Sequence, residues 1–400
     1  MTSQDQARQF PFDLPMALDE EPRYAALRRD EPVVRIALPF GGEGWLVTRH
    51  EDVKAVLSDP RFCRAKAFGR EDMPRVTPEP MPSGNILAMD APEHTRLRRL
   101  TTKAFAARSV EKMRSDIQGT IDALLDQMEK DGRPGDIVTH LAQPLPLSVI
   151  CRLLGVPVEA EPRFRRFTDT ALSTGAHSRE QIVEARNIAL GYLVELIGRR
   201  RAEPSDDLLG ALIEARDEGD RLSEEELINF AATLLFAGYE STSNQIANFI
   251  YVLMTQREHW ERLLADPELV PSAVEELLRY IPLASEGTFS AVANEDLELS
   301  GVRIKAGDAV FASHSSANRD EDVFPNADKV DLAREQNPHL AFGHGAHFCL
   351  GAQLGRLELQ LALSSLLKRY PGLSLAVPAD EVVWKIGLFQ RGPVGLPVRW

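Results

Sequence analysis

One thiol carries the clearest chemical signal in this chain. Cys349 lies in the glycine-rich stretch FGHGAHFCLG (Phe342–Gly351), with His347 two residues before it. A structural zinc site would need four nitrogen or sulfur ligands, and the sequence contains no C-x2-C pair. A blue-copper set of His344, His347 and Cys349 does not suit a helical context, and the sequence identifies no base for a nucleophilic cysteine. The interpretation that remains is a thiolate on haem iron, with glycines that let the backbone pass close to a flat macrocycle.

The sequence that follows this loop also favours a thiolate. After Gly351, the run AQLGRLELQLALSSLLKRY has the pattern of an amphipathic helix. A thiolate just before a helix N-terminus is favoured by the macrodipole. Backbone N–H groups in such a loop can also point at the sulfur and tune the iron.

A second group of polar residues lies within a long helix predicted from Leu222 to Gln256. Ser223 and Glu226 form a capping box at its start. The stretch Ala231–Gly238 is apolar on every side, which predicts that the middle of the helix is buried. The polar residues in this buried part are Glu240, Ser241, Thr242 and Asn244.

Two interpretations of these polar groups stay open. Burying them without partners costs about 1–3 kcal/mol each, so they could form a satisfied core network in which Ser241 donates to the carbonyl of Ala237. Alternatively, Glu240 and Ser241 handle protons at the wall of a cavity. Gly238 favours the second interpretation, because a glycine costs about 1 kcal/mol in a helix interior and indicates a close approach or a widened turn.

The elements that position these residues are mainly helical. Alternating β-branched residues predict a hairpin from Pro32–Leu38 and Gly44–His50. From Glu93 to about Val270 the period is that of helices, and strand patterns return at Asp296–Ser313 and Trp384–Phe389. No linker or repeat divides the chain, so we expect one domain over all 400 residues, mainly α with small β-sheets, of the α+β class.

Composition and charge exclude several classes of protein. The 44% of hydrophobic residues is enough for a large buried core, and a formal net charge of −14 argues against nucleic acid or an anionic membrane as partner. No apolar run approaches the ~18–20 residues that span a bilayer, and no signal peptide is recognisable. We therefore expect a cytoplasmic protein without membrane insertion. The three cysteines form no disulfide framework, and Cys151 is predicted to be buried.

The motifs resemble those of the cytochrome P450 family. FGHGAHFCLG is similar to the family's haem-binding signature, whose fixed positions are occupied by Phe342, Gly343, Gly345, His347, Cys349 and Gly351. EELLR is similar to its E-x-x-R motif, and AGYEST to a motif of its long central helix. MDAPEHTRLRRL and ANRDEDVFPNADKVDLAR also resemble family segments, so the resemblance covers nearly all of the chain and implies the cytochrome P450 fold, with the long helix over the haem.

The resemblance implies roles for individual residues. Cys349 would be the axial thiolate of haem b, and Glu240 and Ser241, with Thr242 next to them, would supply protons during oxygen activation. Glu276 and Arg279 would form a buried ion pair clamped by the loop ahead of the haem segment. The implied ligands of the haem propionates are His94, Arg98 and His347. The other implied haem contacts are Met89, Ala237, Gly238, Phe342, Gly343 and Gly351.

Two positions depart from the family pattern. The alcohol on the central helix is usually threonine, and here it is Ser241 followed by Thr242, so proton delivery keeps its hydroxyl but loses the methyl group that fixes the rotamer. Relatives often place an arginine, as a propionate ligand, where this chain has Ala291. One propionate is then left with fewer partners, or with a substitute that the sequence does not identify.

The resemblance implies a haem-thiolate monooxygenase that uses O2 and electrons from NAD(P)H, delivered by a ferredoxin and its reductase. A basic patch for the ferredoxin is expected from Arg96, Arg99, Lys103 and Arg108. The alternatives are a peroxide-driven or oxidative-coupling haem enzyme and, outside catalysis, a haem sensor. A sensor would need no proton delivery, so Glu240 and Ser241 argue against it.

The expected substrate is a lipophilic small molecule, most similar to those of enzymes that hydroxylate or epoxidise macrolides and related polyketides. Pocket walls are expected from the segment Arg64–Ile86, the centre of the long helix at Phe236–Ala237, and the turns at Leu283–Phe289 and Leu388–Phe389. In the helix centre and the turns, the expected pocket residues are Phe236, Ala237, Leu283, Ala284, Phe289, Leu388 and Phe389. The Pro-rich stretch Glu71–Asn85, predicted to be a long ordered loop, and Leu172–Glu180 are expected to open for a bulky molecule.

Overall fold

The computed structural model describes residues 6–12, 17–157, 160, 164–167, 170, 173–217, 222–284 and 289–400. In these residues the helices are α1 (Arg23–Asp30), α2 (His50–Ser58), α3 (Glu93–Thr101), α4 (Ala107–Glu111), α5 (Arg114–Asp131), α6 (Pro144–Leu154), α7 (Arg179–Ala202), α8 (Leu208–Asp217), α9 (Glu224–Thr255), α10 (Arg257–Ala265), α11 (Val270–Tyr280), α12 (His314–Ala317) and α13 (Ala352–Arg369). The predicted mainly helical architecture is confirmed.

Helix α9 runs through the middle of the helical core and confirms the long helix predicted from the sequence. Its capping box is present, since the N–H of Glu226 bonds to the Ser223 hydroxyl and the N–H of Ser223 to the Glu226 carboxylate. Helices α6, α7 and α13 pack against it. Most of its side chains from Leu227 onward are buried, which is why its sequence is apolar around the whole circumference.

The strands of the described residues form three small sheets. Their bounds are β1 (Arg8–Gln9), β2 (Val33–Ala37), β3 (Glu43–Val47), β4 (Phe62–Cys63), β5 (Gly135–Asp136), β6 (Ser290–Ala293), β7 (Leu297–Leu299), β8 (Val302–Ile304), β9 (Ala309–Ala312), β10 (Ser374–Leu375) and β11 (Pro397–Arg399). The orders are β1-β2-β3-β9-β6-β4, β10-β11-β5 and β7-β8. The β2–β3 hairpin confirms the prediction, and the parallel β3–β9 pair joins this N-terminal hairpin to a strand from the later part of the chain in one sheet.

The edge of the largest sheet has a register that matters for the site. Strand β4 is antiparallel to β6, with Phe62 opposite Ala293 and Cys63 opposite Val292. Phe62 and Ala293 belong to one hydrophobic cluster, whereas Val292 belongs to the cluster on the other face. The two faces of this sheet edge are therefore clearly defined.

One predicted strand is wrong. Trp384–Phe389 contains only isolated bridges, from Trp384 to Pro393 and from Leu388 to Ser173. Gly387 within it has φ of +70°, a left-handed conformation that interrupts an extended strand. By contrast, Glu71–Asn85 is an irregular loop, as predicted. In the described part of the chain no helix is long and apolar enough to cross a bilayer, and the expectation of a single domain stays a prediction.

Candidate active site

The loop that carries Cys349 is shaped by its glycines. Gly343 and Gly345 have φ of +71° and +68°, which other residues rarely adopt. A Cβ on Gly345 would lie 2.5 Å from the carbonyl oxygen of Leu57, so a larger residue cannot fit there. The N–H of Cys349 donates to the carbonyl of Phe342 at 2.8 Å. The glycines thus fold the loop back on itself directly before α13.

The Cys349 sulfur has accessible surface and is also surrounded by protein. The Cys349 side chain is exposed, yet burial raises the pKa of its thiol, while the N–H of Gly351 and the charge of Arg98 act to lower it. A side chain with open surface that protein nevertheless surrounds lies at the wall of an internal cavity. The expected help from backbone N–H groups is thus present at Gly351.

Three basic residues predicted to act together do meet beside this sulfur. The rings of His94 and His347 lie 4.2 Å apart between centroids, and the ring of His347 hydrogen-bonds to the backbone of Met89. The Arg98 guanidinium donates to the carbonyl of Phe348. A loop residue and two residues of α3, distant in sequence, therefore share one cluster.

Two further basic residues of this cluster were missed at the sequence level. Burial lowers the pKa of His314 to about 4, with a further contribution from the charge of Arg64. Burial and Arg64 also lower the pKa of His347, to about 3, and Arg64 contributes to the lowered pKa of His94. Arg64 thus lies close to three imidazoles. His314 could have been noticed because it directly precedes the ANRD motif, but the position of Arg64 depends on strand register.

The charge of this cluster is unbalanced. Burial lowers the pKa of the Arg64 guanidinium to about 10, with Asp90 opposing this effect. Asp90, the acid that faces the cluster in the described residues, already accepts from the Cys63 thiol at 2.8 Å and from the N–H of Ala65 at 2.9 Å. Buried cations without matching anions favour an anionic ligand. A thiol for iron and cations for two carboxylates are what a haem requires, so these residues fit that group.

The polar turn of α9 lies next to the cysteine loop. A Cβ placed on Gly355 of α13 would lie 3.9 Å from Thr242 Oγ1 and 4.0 Å from the Phe342 ring. Ala237 is exposed and Ser241, one turn later, is half-buried, although α9 runs through the core. The two residues therefore open onto a cavity, whereas Thr242 is buried against α13.

The hydrogen bonding of this turn agrees with one of the two interpretations drawn from the sequence. Ser241 Oγ donates to the carbonyl of Ala237 at 3.1 Å, as expected for back-bonding. The close approach expected at Gly238 is made with α6, because a Cβ there would lie 2.7 Å from the Ile150 side chain. Glu240 is buried, with 4% of its surface exposed.

The predicted ion pair of the E-x-x-R motif is present. Arg279 donates to both carboxylate oxygens of Glu276, at 2.8 and 2.7 Å, and neither side chain is exposed. The loop after α12 clamps the pair, because Arg279 also donates to three carbonyls there and Arg334 donates to Glu276 at 2.9 Å. Although burial raises the pKa of Glu276, these hydrogen bonds hold it below its usual value.

A second ion pair next to it was not foreseen. Glu275 accepts two hydrogen bonds from Arg356 of α13, at 2.7 and 2.8 Å, and one from His339 at 3.0 Å. Burial raises the pKa of Glu275, but these partners outweigh it and lower the pKa to about 2. The pair ties α11 to the helix that follows the cysteine.

Three of the four segments predicted to line a substrate pocket meet in an aromatic group. The ring of Phe289 lies 6.4 Å from Phe68 and 5.5 Å from Phe389, while Phe236 of α9 lies 6.2 Å from Phe167. Ala284 bridges Gln390, Leu388 bridges Ser173, and the carbonyl of Leu283 accepts from the N–H of Arg391. The expected turn continues through 285–288, which lie outside the described residues.

The two loops expected to open are joined by one arginine. Arg179, at the start of α7, pairs with Glu71 at 3.0 Å and Glu79 at 2.5 Å. Part of the second loop, residue 172, lies outside the described residues.

Of the four residues expected to form a basic patch, Arg96 pairs with Glu226 at the start of α9, so its charge is partly matched within the chain. Its helical position allows this pairing because α3 and α9 lie close there. The side chains of Arg99, Lys103 and Arg108 are exposed.

Comparison with known proteins shows which family this chain is similar to. The family model described as Cytochrome P450 matches residues 159–267 and 263–375. The chain is 56% identical to nocardicin C N-oxygenase from Nocardia uniformis subsp. tsuyamanensis and 50% identical to mycinamicin IV hydroxylase/epoxidase from Micromonospora griseorubida, over 100% of each chain. The crystal structure of HinD with NMFT and NO superposes with a TM-score of 0.95 at 47% identity, over 99% of this chain and 100% of that chain.

Proposed function

This chain belongs to the cytochrome P450 family and is a monooxygenase, and we propose that it oxidises a bulky lipophilic secondary metabolite, with a macrolide-type polyketide as the favoured substrate. The observation that carries the proposal is the meeting of the cysteine loop and the polar turn of α9 at Gly355. A thiolate-bound haem supplies the oxygen activation when it is bound. The roles below belong to residues of the chain itself.

We propose that Cys349 binds the iron and that the basic cluster binds the propionates. Cys349 Sγ accepts from the N–H of Gly351, which stabilises the thiolate form. His94, Arg98 and His347 are close enough to each other to engage carboxylates on one side of the cavity. Met89 contributes through its backbone contact with His347. The glycines at 343 and 351 and the ring of Phe342 shape the loop around the sulfur.

Proton supply is assigned to Glu240 and Ser241. The Ser241 hydroxyl holds its proton on the carbonyl of Ala237 in this conformation. Rotation about χ1 turns the hydroxyl toward the cavity, and serine rotates more easily than threonine because it has no methyl branch. Glu240, the preceding residue of the helix, is buried and is proposed to supply the replacement proton. Thr242 faces α13 instead and is assigned a packing role.

The substrate class rests on the pocket and on the relatives. Rings from three separate segments line the expected pocket, so apolar contact dominates recognition. One close relative is named for hydroxylation and epoxidation of mycinamicin IV, which supports a macrolide-type substrate. The ion pairs of Arg179 hold the Glu71–Asn85 loop against the start of α7. Breaking these pairs would open the loop for a molecule of that size.

A second candidate is N-oxygenation of an amine. It is favoured by the 56% identity to nocardicin C N-oxygenase over the whole chain. The same cavity and proton supply would serve either reaction, and the difference lies in which atom of the substrate is held near the iron.

Electron supply is assigned to a ferredoxin, reduced by an NAD(P)H-dependent reductase in the cytoplasm. The exposed Arg99, Lys103 and Arg108 lie on and after α3, the helix that also carries His94 and Arg98 of the site. A cationic surface there would attract an acidic partner near the haem side of the molecule.

A spectral titration with mycinamicin IV, nocardicin C, a fatty acid and small aromatics tests the substrate class. Displacement of the iron-bound water by the macrolactone, followed by gain of one oxygen atom in turnover with surrogate ferredoxin and reductase, supports the proposal. A tight response to nocardicin C alone would select N-oxygenation. A tight response to small aromatics or fatty acids, with none to macrolactones, would overturn the favoured class.

The same turnover assay separates the rival reactions. A peroxide-driven enzyme would work with peroxide in place of NADH and redox partners, and a coupling enzyme would give joined products without added oxygen. A haem sensor would consume no NADH with any substrate.

A further inference from the structure

Position 291, where relatives often carry an arginine that binds a propionate, is an alanine in this chain. Ala291 lies in β6 with 7% of its surface exposed, in the hydrophobic cluster that also contains Phe62 and Ala293. An arginine there would direct a cation along this face of the sheet. The question is which residue of this chain replaces that cation.

Strand register points to Arg64. The pairs of β4 and β6 are Phe62 with Ala293 and Cys63 with Val292, and β4 ends at Cys63. Extending this register by one position places Arg64 opposite Ala291. Directly opposed residues of antiparallel strands project to the same face, with Cβ atoms about 4.5–5.5 Å apart. Phe62, two residues before Arg64, lies on the same face as Ala291. A side chain at 64 can therefore reach the space that an arginine at 291 would fill.

Electrostatic contacts agree with this placement. The charge of Arg64 acts on the imidazoles of His94, His314 and His347, which come from three different parts of the chain. Three such neighbours place the guanidinium within the basic cluster beside Cys349.

Among the residues that the structure describes, Arg64 has no matching anion. Its guanidinium forms no ion pair within 4 Å among the residues that the structure describes, and the acid that acts on it is Asp90. The Asp90 carboxylate is bound instead by the thiol of Cys63 and by the backbone N–H groups of Arg64 and Ala65. A half-buried guanidinium is left to bind an anion that enters the cavity.

We propose that Arg64 replaces the missing arginine at 291 from the neighbouring strand and binds a haem propionate. The inference rests on the proposed haem site around Cys349. The cation would then occupy the usual place in the site, although it comes from a different position in the sequence.

The test measures haem retention rather than activity. Holoprotein is mixed with excess apomyoglobin, and the transfer of ferric haem is followed by absorbance. Arg64→Gln is expected to lose haem about ten- to a hundredfold faster, the factor for one charge-assisted hydrogen bond. Arg64→Lys keeps the charge but not the planar guanidinium, and it is expected to lose haem at a rate between those of the wild type and Arg64→Gln. Arg61→Gln, which removes an exposed arginine paired with Asp59, is the matched control and is expected to behave like the wild type.

A charge-exchange variant gives the decisive result. In the double variant Arg64→Gln with Ala291→Arg, haem retention is expected to return toward the wild-type rate. Wild-type retention in both Arg64→Gln and Arg64→Lys would overturn the proposal, as would equal loss in the Arg64 and Arg61 variants.

The spectrum of the ferrous–CO complex separates this proposal from the assignment on which it rests. If the wild type lacks the thiolate-type Soret band, the assignment of Cys349 fails. If that band is present and Arg64→Gln keeps haem at the wild-type rate, the role of Arg64 alone fails.

Discussion

Glu276 and Arg279 are joined by two hydrogen bonds in a pair from which solvent is fully excluded. Three carbonyls of the loop after α12 complete the coordination of the arginine. The pair therefore fixes α11 against the segment that leads to the cysteine loop. Its loss would destabilise the whole site.

We expect Glu276→Gln to destabilise the protein by about 3–5 kcal/mol, because the buried Arg279 and Arg334 would lose their anion. Thermal unfolding followed by circular dichroism measures the effect. Glu335→Gln removes an exposed carboxylate next to Arg334 in the sequence and serves as the control. Equal melting temperatures for the two variants would contradict the buried role of the pair.

Cys349→Ser is expected to abolish the red-shifted Soret band of the ferrous–CO complex, since the band requires a thiolate ligand. Absorbance spectra of the reduced, CO-treated protein give the answer. Cys151→Ser is the control, because this cysteine is buried in α6, with 1% of its surface exposed. Persistence of the band in Cys349→Ser would show that another residue binds the iron.

Ser241→Ala is expected to keep haem and substrate binding but to divert electrons into peroxide, because a proton would no longer be aimed into the cavity. The ratio of product to NADH consumed is the measurement. Ser241→Thr restores the usual alcohol of the family and is expected to couple at least as well as the wild type. Unchanged coupling in Ser241→Ala would move the role to Thr242 or to a chain of waters.

Arg179→Ala is expected to speed the association of a bulky ligand a few-fold, because the Glu71–Asn85 loop would lose its two ion pairs with α7. Stopped-flow binding of a macrolactone measures the rate. Arg70→Ala breaks an exposed pair with Asp72 on the same loop without releasing α7, so its rate should match the wild type. If both variants bind at the wild-type rate, the loop does not limit entry.

The lowered pKa of Glu275 predicts that the stability of the protein depends on pH. Its folded pKa, about 2, lies below the ordinary value of 4.5, so its contribution is complete above about pH 4.5 and is lost as pH falls toward 2. Between pH 6 and 3 the melting temperature of the wild type should therefore fall more steeply than that of Glu275→Gln. Parallel curves would show that the pair with Arg356 and His339 does not stabilise the fold.

Local patterns were predictable from the sequence, and long-range placement was not. The extent of α9 and its capping box follow from helical period and local capping, which act over a few residues. The pairing of Glu276 with Arg279 was implied by the family resemblance, and their i,i+3 spacing permits it. The approach of Arg64 to His314 and His347 depends on the pairing of β4 with β6, more than two hundred residues away. No local signal sets that register.

The dependence on distant contacts also explains the other differences between the sequence-based predictions and the structure. Arg96 looked like a free surface charge because its partner, Glu226, lies at the start of a distant helix. Trp384–Phe389 has the residue types of a strand, but Gly387 and the single bridges on either side give it no continuous partner. The role of Gly238 was ambiguous until Ile150 of α6 was seen against it.

The parallel pairing of β3 with β9 has a consequence for the order of events during synthesis. Trp45, Leu46 and Val47 leave the ribosome long before their partners Val310, Phe311 and Ala312. At about 5–20 residues per second, the nascent β2–β3 hairpin waits for tens of seconds with one edge unsatisfied. The edge of β3 that pairs with β9 therefore stays open until the last quarter of the chain emerges. A nascent chain arrested before Ala309 should be far more sensitive to protease in its first fifty residues than one that has released β9.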